Sequence, residues 1–100
     1  MAKGQQATRV YNWISYKEPE MFNVVFINDD FTTQDFVVKV LMDVFFKSGE
    51  EAVTIMLEVH NHGEGIVGKY TLDMARSKTL KATNMARAAG FPLRIIVKPE

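Results

Sequence analysis

Met21-Phe22-Asn23-Val24-Val25-Phe26-Ile27-Asn28-Asp29-Asp30 is the stretch on which the fold turns. Phe22, Val24 and Phe26 alternate with Asn23, Val25 and Ile27, and the run is rich in β-branched and aromatic side chains. Residues of that kind fit a pleated, half-buried surface, so the run reads as a strand. Asn28-Asp29-Asp30 then ends it, because Asn and Asp side chains bond to their own backbone and favour turns.

Helices follow directly. Thr32 and Thr33 are both good N-caps. Phe36, Val37, Val40, Leu41, Val44 and Phe45 recur at helical spacing and form one apolar face. Ser48 with Glu51 three residues on is a capping box, so a second helix starts where the first ends. Its buried stripe is Ala52, Ile55, Met56 and Val59, and Gly63 stops it. Ile66 to Tyr70 reads as a second strand, with Gly65 and Gly68 marking a bulge or a close backbone approach. Thr71 caps a third helix whose face carries Leu72, Ala75, Met85, Ala86 and Ala89; Asp73 sits in its first turn, where it complements the dipole. Gly90 and Pro92 end that helix. Leu93, Ile95 and Val97 alternate with Arg94, Ile96 and Lys98 in a half-exposed third strand. The order β-α-α-β-α-β predicts an α/β fold of the α+β kind. It is a two-layer sandwich of a three-stranded sheet and three helices.

Upstream of Met21 no period is visible. Residues 1–20 read as a flexible N-terminal extension closed by Lys17-Glu18-Pro19-Glu20. The alternative is that Trp13 and Tyr16 pack on the domain. Residues 21–100 are expected to be one folded domain, in keeping with a chain of 100 residues. Lys plus Arg match Asp plus Glu at 12 each. Nucleic-acid binders draw most of their affinity from a basic excess, so that class is disfavoured. The chain has no cysteine, which removes disulfides, thiolate catalysis and Cys-based zinc sites. Neither a signal-peptide core nor a run long enough to cross a bilayer is present, so a cytoplasmic protein without membrane contact is expected.

Asp29, Asp30, His60 and His62 are the residues able to carry chemistry. Asp-His pairs serve acid-base work. His-x-His can ligate a metal, but two residues apart on a helix places the imidazoles about 200° apart. No Cys or matched third ligand accompanies them, so no metal and no cofactor is expected. No nucleophile elbow or phosphate-binding loop is present either, and an enzyme is not expected.

The combination says more than its parts. Asn28-Asp29-Asp30-Phe31-Thr32 after a strand, Met56-Leu57-Glu58-Val59-His60 on the second helix and Pro92-Leu93 before the last strand together resemble the ClpS family. The likeness runs over about residues 21 to 98. It implies an adaptor that binds bulky N-terminal residues of substrates (Phe, Tyr, Trp or Leu) and hands them to a ClpA-type AAA+ unfoldase and its protease. By position, Asn28, Asp29 or Asp30, and His60 would surround the substrate α-amino group. That group is cationic below a pKa near 8 and offers three donors, so acceptors suit it. Phe26 or Ile27, Thr32, Val37, Met56, Val59 and Leu93 would supply the hydrophobic wall, with Gln34 at the mouth. Met56 and Val59 share one helix face, although such residues are more often plain core. Asp73, Arg76 and Lys78 would dock on the N-terminal domain of the unfoldase, with residues 1–20 helping delivery. If neutral His60 accepts a hydrogen bond from the α-amino group, binding is expected to weaken as pH falls through the range where histidines ordinarily titrate.

Two positions depart from the family pattern. Relatives often carry Met where this chain has Gln34, and an acidic residue where it has Arg76. The competing reading is an interaction module like the C-terminal domain of the ribosomal stalk protein. That fold is similar but needs no terminal-residue pocket, and fold alone does not separate the two.

Overall fold

The computed structural model describes residues 19–100, so the expected extension lies outside the described residues except for Pro19 and Glu20, which are exposed. The elements run β1 (Met21–Ile27), α1 (Gln34–Asp43), α2 (Gly49–His62), β2 (Glu64–Thr71), α3 (Leu72–Ala88) and β3 (Arg94–Pro99). The order is the one expected, and so is the three-stranded sheet. β1 is its centre, antiparallel to β2 on one side and β3 on the other. As the central strand, β1 has its backbone paired on both edges.

Alternation divides β1 between two faces. Val24 and Phe26 join Val37, Val40, Leu41, Ala52, Met56, Val59, Ala75, Ala82 and Ala86 in one core, so the helices lie on that face. Val25 and Ile27 point the other way. Leu93, just before β3, closes the core. The small residues of α3 permit close approach to the sheet; burial falls on Ala75, Ala82 and Ala86, while Leu72 and Met85 are half-buried and Ala89 is exposed.

Local signals account for most boundaries. Thr33, rather than Thr32, is the N-cap of α1, and its hydroxyl accepts from the Phe36 N–H at 3.2 Å. The Ser48–Glu51 capping box closes both ways at 3.0 and 3.1 Å. Gly63 ends α2 in the left-handed region at φ 89°. Thr71 occupies the N-cap of α3, but its side chain makes no capping bond. The helix is held instead by what its alanines bury. α1 stops at Asp43, short of the apolar pattern, and the chain turns through Phe46 at φ 55°.

Both glycines of β2 have work to do. The register slips between Val24 and Val25, leaving Val67 unpaired in a bulge next to Gly68. A Cβ on Gly65 would stand 2.8 Å from Val59 Cγ2. Valine is stiff at χ1 and does not swing aside. Gly65→Ala is therefore expected to cost about 1–3 kcal/mol through overpacking, seen as a fall in Tm of about 4 °C or more. Gly49→Ala, which meets nothing within 4 Å, is the control that leaves Tm nearly unchanged.

Candidate functional site

Three segments meet at one cavity of about 380 Å³. The loop after β1 supplies Asn28 to Thr33, the first turns of α1 supply Gln34 and Val37, and α2 supplies Met56, Val59 and His60. The floor is apolar, since Val37, Met56 and Val59 are buried in the core and show the cavity only one side. The rim is polar and exposed at Asn28, Asp30, Gln34 and His60.

Backbone bonds set this geometry. The Asn28 N–H donates to the Gly63 carbonyl at 2.9 Å, tying the loop to the end of α2 within a turn of His60. Asp29 holds the loop itself. Its Oδ1 accepts from the N–H groups of Phe31 at 2.8 Å and Thr32 at 2.7 Å, and its Oδ2 accepts from Thr32 Oγ1 at 2.7 Å. Burial pushes the Asp29 carboxyl up. The bonds from Thr32 and Phe31, with the positive charge of Arg87, more than offset this and hold it below its ordinary value of 3.8. Asp29 is thus ionised at neutral pH, and most of its acceptor capacity is spent on the loop. Asp30 is exposed and makes no such bonds among the described residues.

The lowered value has a consequence for stability. A depressed carboxylate stabilises the fold above its unfolded value, and that contribution is lost as pH falls through the folded value. The native loop is therefore expected to keep its full stability down to about pH 5 and to weaken progressively in more acid solution. Denaturant unfolding of wild type and Asp29→Asn between neutral and strongly acid pH checks this. The acid loss should be smaller in the variant.

Of the residues expected at a terminal-residue site, Asn28, Asp29, Asp30, Thr32, Gln34, Val37, Met56, Val59 and His60 share the cavity. Three do not. Phe26 is 0% and Leu93 1% exposed, both sealed in the core beneath the floor. Ile27 is one step along β1 from Phe26 and so faces away from the helices. Phe31 and Thr33 line the cavity without having been singled out for it. Their signal was position: both belong to the loop that carries Asn28 and Asp29.

The three residues expected to dock on an unfoldase are also divided. Asp73 and Arg76 are exposed one turn apart on α3. Lys78 is half-buried instead, and its Nζ donates to the Val44 carbonyl at 2.9 Å. It lies 4.5 Å from the Phe46 ring centre, 5.7 Å from that of Tyr70 and 5.9 Å from that of Phe45. The ammonium thus binds the turn after α1 and is not presented as a freely extended charge. Among the described residues no three His, Cys, Asp or Glu side chains gather as a metal site, and no helix is long and apolar enough to cross a membrane.

An apolar floor, a rim of acceptors and a lining without Lys or Arg suit a ligand that is apolar at one end and cationic at the other. The fold and site thus define a small recognition domain. Comparison with known proteins gives the family. Residues 17–96 match the family "ATP-dependent Clp protease adaptor protein ClpS". The ATP-dependent Clp protease adapter protein ClpS of Acetivibrio thermocellus is 47% identical over 87 residues, covering 87% of this chain and 88% of that protein. Its counterpart from Wolinella succinogenes is 43% identical over 99 residues, covering 98% and 97%. Agrobacterium tumefaciens ClpS2, solved bound to L-phenylalaninamide, superposes with a TM-score of 0.80 at 35% identity over 83% of this chain and 100% of that one. The chain belongs to the ClpS family of Clp protease adaptors.

Proposed function

We propose that the cavity binds the first residue of substrate polypeptides when that residue is Phe, Tyr, Trp or Leu. The chain then delivers such substrates to a ClpA-type unfoldase in the cytoplasm and hydrolyses nothing itself. The carrying observation is the union of the buried Val37, Met56 and Val59 with Asn28, the two carboxylates and His60 in one cavity. The ligand of the Agrobacterium relative supports this reading. Phenylalaninamide offers a benzyl group and a free α-amino group, as an N-terminal phenylalanine does.

Each part has a stated task. The side chain enters between Val37, Met56 and Val59. The ammonium donates to the Asn28 carbonyl oxygen, to a carboxylate and to an unprotonated His60 nitrogen. Asp30 is the better direct acceptor, because Asp29 is committed to the loop. Asp29 contributes its fixed charge and the shape of the rim. Burying the side chain is worth about 1.5–3 kcal/mol. Two or three charge-assisted bonds add about 1.5–3 kcal/mol each, which reaches the ~8 kcal/mol of a micromolar complex before the cost of ordering the chain. Such affinity suits a carrier that must let go. Internal amides carry no ammonium, so selection falls on chain termini.

Gln34 stands at the mouth and is exposed. Its polar side chain cannot fill the rim as a Met would, and it is the position to vary when the accepted residues are mapped. Asp73 and Arg76, exposed on α3, are the groups we assign to the unfoldase contact. The test of delivery is direct. Added to ClpA and ClpP, the chain should speed degradation of a Phe-initiated fluorescent reporter and leave a Gly-initiated one untouched. Equal rates for both reporters would remove the delivery role.

A further inference from the structure

A second hollow, of about 520 Å³, lies beside the cavity and is lined by Phe31, Arg87, Gly90, Phe91 and Pro92. Phe31 belongs to both linings, so one aromatic ring stands between the two. Phe31 is 74% exposed, yet its backbone N–H is fixed by the Asp29 carboxylate. On the far side the ground is firm as well. The Phe91 ring lies 5.0 Å from that of Phe36, and Arg87 Nη1 donates to the carbonyls of Phe91 and Leu93, both at 2.9 Å. No other nitrogen of the Arg87 guanidinium has a hydrogen-bond partner among the described residues, which leaves it donors for a passing chain.

We propose that this hollow receives the third residue of the bound polypeptide, with a preference for aromatic side chains, while Arg87 donates to a carbonyl of the substrate backbone. The proposal rests on reading the cavity as the pocket for the first residue. In an extended chain alternate side chains point the same way, and residues two apart are separated by about 7 Å. A chain whose first side chain enters the cavity and whose backbone leaves past Phe31, the residue common to both linings, carries its third side chain to the other side of Phe31. There Phe31, Phe91 and Pro92 offer the apolar surfaces that an aromatic ring packs against.

The experiment compares peptides beginning Phe-Gly-Trp and Phe-Gly-Gly on the full chain. Trp at the third place should bind about two- to tenfold tighter than Gly, the range that one aromatic contact provides. The backbone amide resonances of Gly90 and Phe91 should shift with the Trp peptide and stay still with the Gly peptide. In Phe31→Ala the ratio of the two affinities should fall to about one, whatever happens to the absolute values. Equal affinities in wild type with unmoved Gly90 and Phe91 resonances would overturn the third-residue subsite and leave the first-residue pocket standing. Failure of every free Phe-initiated peptide to bind would overturn both.

Discussion

Asp29→Ala is expected to be the most damaging single change at the rim. It removes three hydrogen bonds that shape the loop together with a charge that attracts the ligand. A hydrogen bond to a charged group contributes about 1.5–3 kcal/mol. Part of that loss will show as stability and part as binding. Affinity for a Phe-initiated peptide should drop by a hundredfold or more, from about 3 kcal/mol, since each 1.4 kcal/mol is tenfold. The melting temperature should fall only modestly, because the loop lies outside the core. Asp29→Asn separates the two roles. Its amide oxygen still accepts from Phe31 and Thr32 but carries no charge, so it should restore most of the melting temperature and only part of the affinity. Anisotropy titration beside a thermal melt reads both. An alanine variant that binds as wild type does would show that the loop needs no Asp29 and the ligand no charge there.

His60→Ala comes second. It is exposed on α2, so removing it leaves no cavity in the core and should not lower the melting temperature appreciably. It does remove one acceptor from the proposed ammonium site, worth about 1.5–3 kcal/mol, or roughly tenfold to a hundredfold in affinity. Any acid weakening of wild-type binding that His60 causes should vanish with it. A variant with unchanged affinity and an unchanged pH profile would take His60 out of the site. It would also favour the reading of a general interaction module, which has no use for that residue.

These two residues were legible in the sequence because their chemistry is local. The Asn28-Asp29-Asp30 turn ends a strand, and His60 sits a turn before a glycine stop. Caps were legible for the same reason: Ser48 and Glu51, or Thr33 and Phe36, are three residues apart, and the bonds they make are fixed by helix geometry. Resemblance to a family then joined turn and helix into one site, which spacing alone would not have done. What stayed hidden depends on direction or distance. An apolar residue in or beside a strand is seen in the sequence to be inward, but core and cavity are both inward, and Phe26 and Leu93 went to the core. Ile27 was lost to the pleat. Lys78 reads as a surface helix charge, yet its partner is the carbonyl of Val44, 34 residues away, with no signal in either segment. The early end of α1 is similar, because no glycine announces the left-handed Phe46.

The buried valines around Met56 and the acceptors around His60 make one claim together: this cavity reads a free α-amino group beside a bulky side chain. The most direct measurement is a fluorescence-anisotropy titration with a short Phe-initiated peptide, the same peptide N-acetylated, and one that starts with Gly. Acetylation removes the charge and two of the three donors while leaving the benzyl group, and Gly does the reverse. Tight binding of the free Phe peptide alone is the result the account predicts. Equal binding of the acetylated and free peptides, or none by any of the three, would contradict it.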